Sequence, residues 1–121
     1  MRLLKIISLA LCVVLAACSA KPVPLERCAY VGEWKARGVY LVVRQDGDVN
    51  YRRLTHGVDA SIRAPLQGFD GDNLRVGLGF LSSTIVVSTP PHEDNGVWKM
   101  VADGTELTKE GGSNCGNGQV I

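Results

Sequence analysis

His92-Glu93-Asp94, directly after Pro90-Pro91, is the densest group of functional side chains in the chain. An imidazole beside two carboxylates can hold a metal ion or exchange a proton near neutral pH, and the prolines stiffen the loop that presents them. Adjacent ligands on one loop rarely converge on one ion, however, and His56 is the only other histidine. His56 and Asp59 would complete a site only if the fold carried them to His92, so no metal, no cofactor and no catalytic group is expected. A stiffened polar loop suits a partner protein better. Asp46-Gly47-Asp48 and Asp70-Gly71-Asp72-Asn73 have the composition of calcium loops but lack the EF-hand spacing and its closing glutamate, and they read as hairpin turns. Ser82-Ser83-Thr84 has neither a nucleophile-elbow pattern nor an evident base.

The other reactive side chains are the cysteines at 12, 18, 28 and 115. Arg2 and Lys5 precede an uncharged aliphatic run from Ile6 to Leu15, the pattern of a secretory signal, and the run is too short to span a bilayer. It ends in Leu15-Ala16-Ala17-Cys18, which resembles the lipobox of bacterial lipoproteins. The resemblance implies that residues 1–17 are a signal peptide, that Cys18 accepts lipid, and that residues 18–28 tether a folded domain to the membrane. Two or more acyl chains give stable attachment at about 0.8 kcal/mol per buried methylene. Ser19 stands where an aspartate would imply inner-membrane retention, so the expected location is the cell envelope, with the periplasmic face of the outer membrane favoured. Cys12 leaves with the signal. In an oxidising compartment the remaining pair, Cys28 and Cys115, most simply forms one disulfide across the domain. A metal site or a reactive thiol would need further ligands or a base that the neighbouring sequence lacks.

Loss of Arg2 and Lys5 from the 13 basic residues leaves eleven against 12 acidic ones, a mature charge of −1. A near-neutral chain with interspersed signs does not suit nucleic acid. Arg44, Arg52, Arg53, Arg63 and Arg75 all fall on β segments, where a shared outward face could meet anionic groups. Pairing with nearby carboxylates is the simpler expectation.

These side chains must be positioned by strands. From Tyr30 onward short runs alternate apolar and polar residues: Val39, Leu41 and Val43 on one face, then Leu74, Val76, Leu78 and Phe80 on another. Asp46-Gly47, Asp70-Gly71, Asn95-Gly96 and Asp103-Gly104 are hairpin signals between them, and Arg37-Gly38 and His56-Gly57 supply further turns. No stretch of the mature chain carries a helical stripe. The expected fold is a single small all-β domain over residues 29–110. It is an antiparallel meander of about eight short strands, closed as a barrel or folded as a sandwich. Trp34 and Trp98 are expected as core anchors, and the Gly-rich residues 111–121 as a tail held by Cys115.

Gly32-Glu33-Trp34, the Pro-Pro-His loop, Trp98-Lys99-Met100 and Asp103-Gly104 resemble short lipoprotein domains that carry no assigned activity. Gly-x-Trp alone is also similar to lipocalins, whose barrels are longer. The functional expectation is a lipid-anchored binding or accessory module for a periplasmic or outer-membrane protein, without catalysis. His92, Glu93, Asp94, Arg52 and Arg53 are the candidate contact residues. The alternative is a small barrel that binds a lipid or another apolar ligand.

Overall fold

The computed structural model describes residues 21–111. A short 3-10 helix, Leu25–Tyr30, leads into β1 (Gly32–Ala36), β2 (Val39–Val43), β3 (Asp48–Thr55), β4 (Val58–Asp70), β5 (Asn73–Leu78), β6 (Leu81–Ile85), β7 (Val87–Asp94), β8 (Val97–Ala102) and β9 (Thr105–Gly111). All pairings are antiparallel, in the order β6-β5-β4-β3-β2-β1-β9-β8-β7. β6 and β7 are separated only by Val86; β5 pairs with the first and β8 with the second. They act as two halves of one bent strand, which brings the sheet nearly round on itself as a barrel. At the bend the Val86 N–H donates to Asp103 Oδ1 (3.0 Å), the Asp103 N–H returns a bond to the Val86 carbonyl (2.7 Å), and the Val87 N–H donates to Asn73 Oδ1 (2.8 Å).

The turns form where the sequence asks for them. His56, Asn95 and Asp103 have positive φ, and each is followed by a positive-φ glycine, Gly57, Gly96 and Gly104. Two successive left-handed residues give the primed turns whose twist matches that of the strands they join.

Alternation fills the barrel. Trp34, Leu41, Leu66, Leu74, Met100 and Leu107 are fully buried, with Val43, Val49 and Val76 between them. Each such side chain contributes about 1.5–3 kcal/mol relative to exposure. Trp34 Nε1 donates to the Tyr30 carbonyl (2.9 Å), and Lys109 Nζ donates to the Ala29 carbonyl (2.8 Å). The Lys109 ammonium also lies 4.8 Å from the centre of the Trp34 ring and 5.5 Å from that of half-buried Trp98. The last strand, the first strand and the 3-10 helix are thereby joined at one point.

Three expectations change. The segment read as a free tether is packed on the barrel from its first described residue. The Lys21 N–H reaches the Leu66 carbonyl (3.4 Å), and buried Val23 exchanges bonds with Gln45. Residues 89–94, expected as a loop, belong to β7; Pro90 and Pro91 have no N–H to offer, so the ladder to β8 shifts register between Thr89 and His92. The face Leu74-Val76-Leu78-Phe80 leaves the core halfway, with Leu78 and Phe80 exposed on a hairpin that runs past the barrel wall.

Burial lowers the Lys109 ammonium to about 8, against the pull of the two indole rings and the Ala29 carbonyl, which favour the cation. Between that value and the unfolded value of about 10.4 the unfolded chain holds a proton that the folded chain has shed, so stability rises with pH. Burial raises Tyr30 and Tyr51 above the usual phenol range, so past about pH 10 the unfolded chain loses protons first and stability falls. Urea midpoints should therefore rise between about pH 8 and pH 10 in the wild type and stay flat in Lys109→Met. The same rise in both would remove this role from Lys109.

Candidate functional site

The outer face of β1, β2 and β3 carries the exposed functional side chains. Strand register sets Lys35 beside Tyr40 and Tyr40 beside Arg52, with Glu33 beside Val42 and Val42 beside Asn50 in the next row. Tyr40 stands at the centre: its hydroxyl donates to Glu33 Oε1 (3.3 Å), and Lys35 Nζ lies 5.4 Å from its ring centre. One groove of about 300 Å³ runs between Lys35, Tyr40, Arg52 and Leu54. A second, of about 150 Å³, shares Tyr40 and reaches Arg44 and Arg63. A third, of about 420 Å³, continues past Glu33, Val42 and Arg44 to the Gln45-Asp46 turn.

The arginines divide. Arg52 points outward and grips Asp59 through both Nε (3.0 Å) and Nη2 (2.5 Å). That pairing raises the Arg52 guanidinium and lowers the Asp59 carboxyl from their ordinary values. Arg44 and Arg63 share the carboxylate of Asp48, at 3.8 and 3.1 Å, and Glu33 in the same groove supplies a second carboxylate, so the charges there balance. Arg53, one residue on from Arg52, points inward across one end of the barrel. Its Nε donates to the Tyr51 hydroxyl (2.9 Å), Nη1 to Thr105 Oγ1 (3.0 Å) and Nη2 to the Ala102 carbonyl (3.2 Å). Tyr51 in turn donates to Asp103 Oδ2 (2.9 Å), the carboxylate that holds the Val86 bend. Arg53 is thus a structural tie between β3 and the β8–β9 turn, and its expected role as a contact residue is corrected accordingly. Replacing Arg53 by alanine should cost about 1.5–3 kcal/mol in urea denaturation, the usual value for hydrogen bonds to a charged group. Arg52→Ala should leave the midpoint unchanged, because its pair is solvated. Equal losses would contradict the inward assignment.

His92, Glu93 and Asp94 are not gathered with these residues. They lie on β7, separated from that face by β9 and β8 in the sheet order. His92 Nδ1 is 3.0 Å from the Pro90 carbonyl, and Asp94 meets Lys99 at 3.4 Å. His56 occupies the β3–β4 turn and Asp59 pairs with Arg52, so the two histidines form no common site. Among the described residues no three of His, Cys, Asp and Glu converge on a metal position, and no helix is long and apolar enough to cross a membrane. Cys28 sits in the 3-10 helix, while Cys18 and Cys115 lie outside the described residues. Sequence reasoning missed Tyr40, Tyr51 and Asp103. Tyr40 was detectable as an aromatic on the polar phase of β2; the Tyr51–Asp103 contact joins residues far apart in the chain and had no local signal.

The fold and its outward groove define a small meander barrel with an aromatic and charged outer face. Compared with protein-family models, characterised proteins and solved structures, the chain matches none.

Proposed function

We propose that this chain is a lipid-anchored cell-envelope protein, acylated at Cys18, whose barrel binds a periplasmic or outer-membrane protein and performs no catalysis. The observation that carries the binding face is the groove around Tyr40, with Lys35 and Arg52 beside it on adjacent paired strands. Tyrosine and arginine on a rigid surface are the side chains that most often anchor protein interfaces. Confinement to a membrane raises effective concentration, so a modest contact suffices. The rival reading, an apolar ligand inside the barrel, draws no support from an interior occupied by Trp34, Leu41, Met100 and Leu107.

In the same reading Cys28 pairs with Cys115. β9 runs antiparallel beside β1, with Trp34 opposite Lys109 and Glu33 opposite Gly111. Gly111, the last described residue, thus ends opposite Glu33, five positions after Cys28.

A photoreactive residue in place of Tyr40, introduced in cells, should crosslink to one envelope protein. Lys35→Glu with Arg52→Glu should abolish the product. Crosslinking no greater than from exposed Glu106 would overturn the docking face. The intact mass, with and without reductant, checks acylation of Cys18 and the gain of two hydrogens expected for one disulfide.

A further inference from the structure

We propose that the β5–β6 hairpin inserts its apolar tip, Leu78, Phe80 and Leu81, into the same bilayer leaflet that holds the N-terminal anchor. The proposal rests on the anchor reading above. Phe80 is 94% exposed, and Leu78 and Leu81 are 66% and 68% exposed, a cluster of large apolar side chains with no protein covering it. β4 releases β5 after the pair Leu66–Val76, so beyond that point β5 pairs only with β6, through Gly77–Ser82 and Leu78–Leu81. The tip therefore stands clear of the barrel wall.

Its place relative to the chain's entry decides what covers it. The Lys21 N–H bonds to the Leu66 carbonyl (3.4 Å), and the next residue, Gln67, donates from Nε2 to the Gly79 carbonyl in the turn itself (2.9 Å). Cys18 is three positions before Lys21, a reach of about 10 Å at full extension. Acyl chains on Cys18 are thus delivered beside the hairpin. Composition agrees: from Asn73 to Thr89 the chain has no acidic residue and a single basic one, Arg75. Arg75 has no ion pair among the described residues. With Lys21, it can meet lipid phosphates while the tip enters the apolar layer. A second exposed apolar turn, with Leu54 and Val58, is flanked by Arg52, His56 and Asp59 and so belongs in water.

The test is Phe80→Trp in the full chain, purified from membranes and reconstituted in phosphatidylethanolamine–phosphatidylglycerol vesicles with brominated acyl chains. Phe80 packs against nothing, so the substitution leaves the fold alone; the wild type supplies the Trp34 and Trp98 background. Insertion of about 5–10 Å, usual for interfacial segments, should quench most of the added emission and shift it to the blue. Leu54→Trp should be neither quenched nor shifted. Quenching equal at both positions, or none at position 80, overturns the proposal, and crosslinking of residue 80 to a protein in place of quenching assigns the tip to that protein. Mass analysis of the same sample separates the two readings. Quenching with an unacylated Cys18 sinks the anchor and leaves the tip inserted; an acylated Cys18 without quenching does the reverse.

Discussion

Trp34→Ala is expected to leave little folded protein at physiological temperature. The indole is fully buried at the centre of the barrel, and truncation of a buried tryptophan costs about 3–5 kcal/mol. Small domains have only about 5–15 kcal/mol in hand. The loss extends beyond packing. The Nε1 bond to Tyr30 disappears, so the 3-10 helix loses its tie to β1, and Lys109 keeps a half-buried ammonium without the ring beneath it. Tyr30 in turn holds the β4–β5 turn through the Asp72 carbonyl (2.8 Å) and stacks edge-on against Phe69 at 4.9 Å, so the disturbance spreads to the opposite wall. Trp34→Phe, which keeps most of the volume and loses the bond, should cost about 1–2 kcal/mol. Urea denaturation followed by far-UV circular dichroism reads both. A loss below about 1 kcal/mol for the alanine variant would mean that the barrel is not built on this side chain.

Gly77→Ala should damage the hairpin and spare the rest. Gly77 has a φ of 144°, and a methyl group there would overlap the Leu81 carbonyl and the Ser82 backbone across the strand pair. Backbone atoms cannot rotate aside as a side chain can, so either the strands part or the hairpin refolds. Conformational strain of about 1–3 kcal/mol adds to overpacking of similar size. The hairpin contacts the barrel through Leu74, Val76 and Ile85, all buried, so those residues should stay protected from hydrogen exchange while amides 77–84 exchange rapidly. In brominated vesicles the same variant should lose the quenching of a tryptophan at position 80. Uniform loss of protection throughout the barrel would instead make the hairpin part of the cooperative core.

Much of this architecture is legible in the residues. The alternation of Val39, Leu41 and Val43 predicts an inward face, and all three are buried. The turn dipeptides mark the hairpins because a primed turn demands positive φ, and glycine with Asn, Asp or His adopts it at low cost. Such signals are local, and local geometry decides them. The groove was only half legible: Arg52 was singled out but its neighbour Tyr40 was not, and nothing local separated Arg52, which points outward, from Arg53, which ties β3 to the β8–β9 turn. Period two says that adjacent residues face opposite ways; it does not say which phase is outside once a strand passes the end of the barrel.

By itself the sequence determines an all-β meander with defined turns and a tryptophan on its first strand. Tertiary structure alone decides that β6 and β7 act as one bent strand, that residues 21–30 pack on the barrel, and that Asp103 joins Val86 to Tyr51. Those contacts link segments many residues apart, and their free energy exists only when the sheet has curled enough to bring both partners together. Phe80 shows the same division in one side chain. Its place in the alternating run suggests the core, but β5 has no β4 partner beyond Val76, and the hairpin carries the ring beyond the barrel wall.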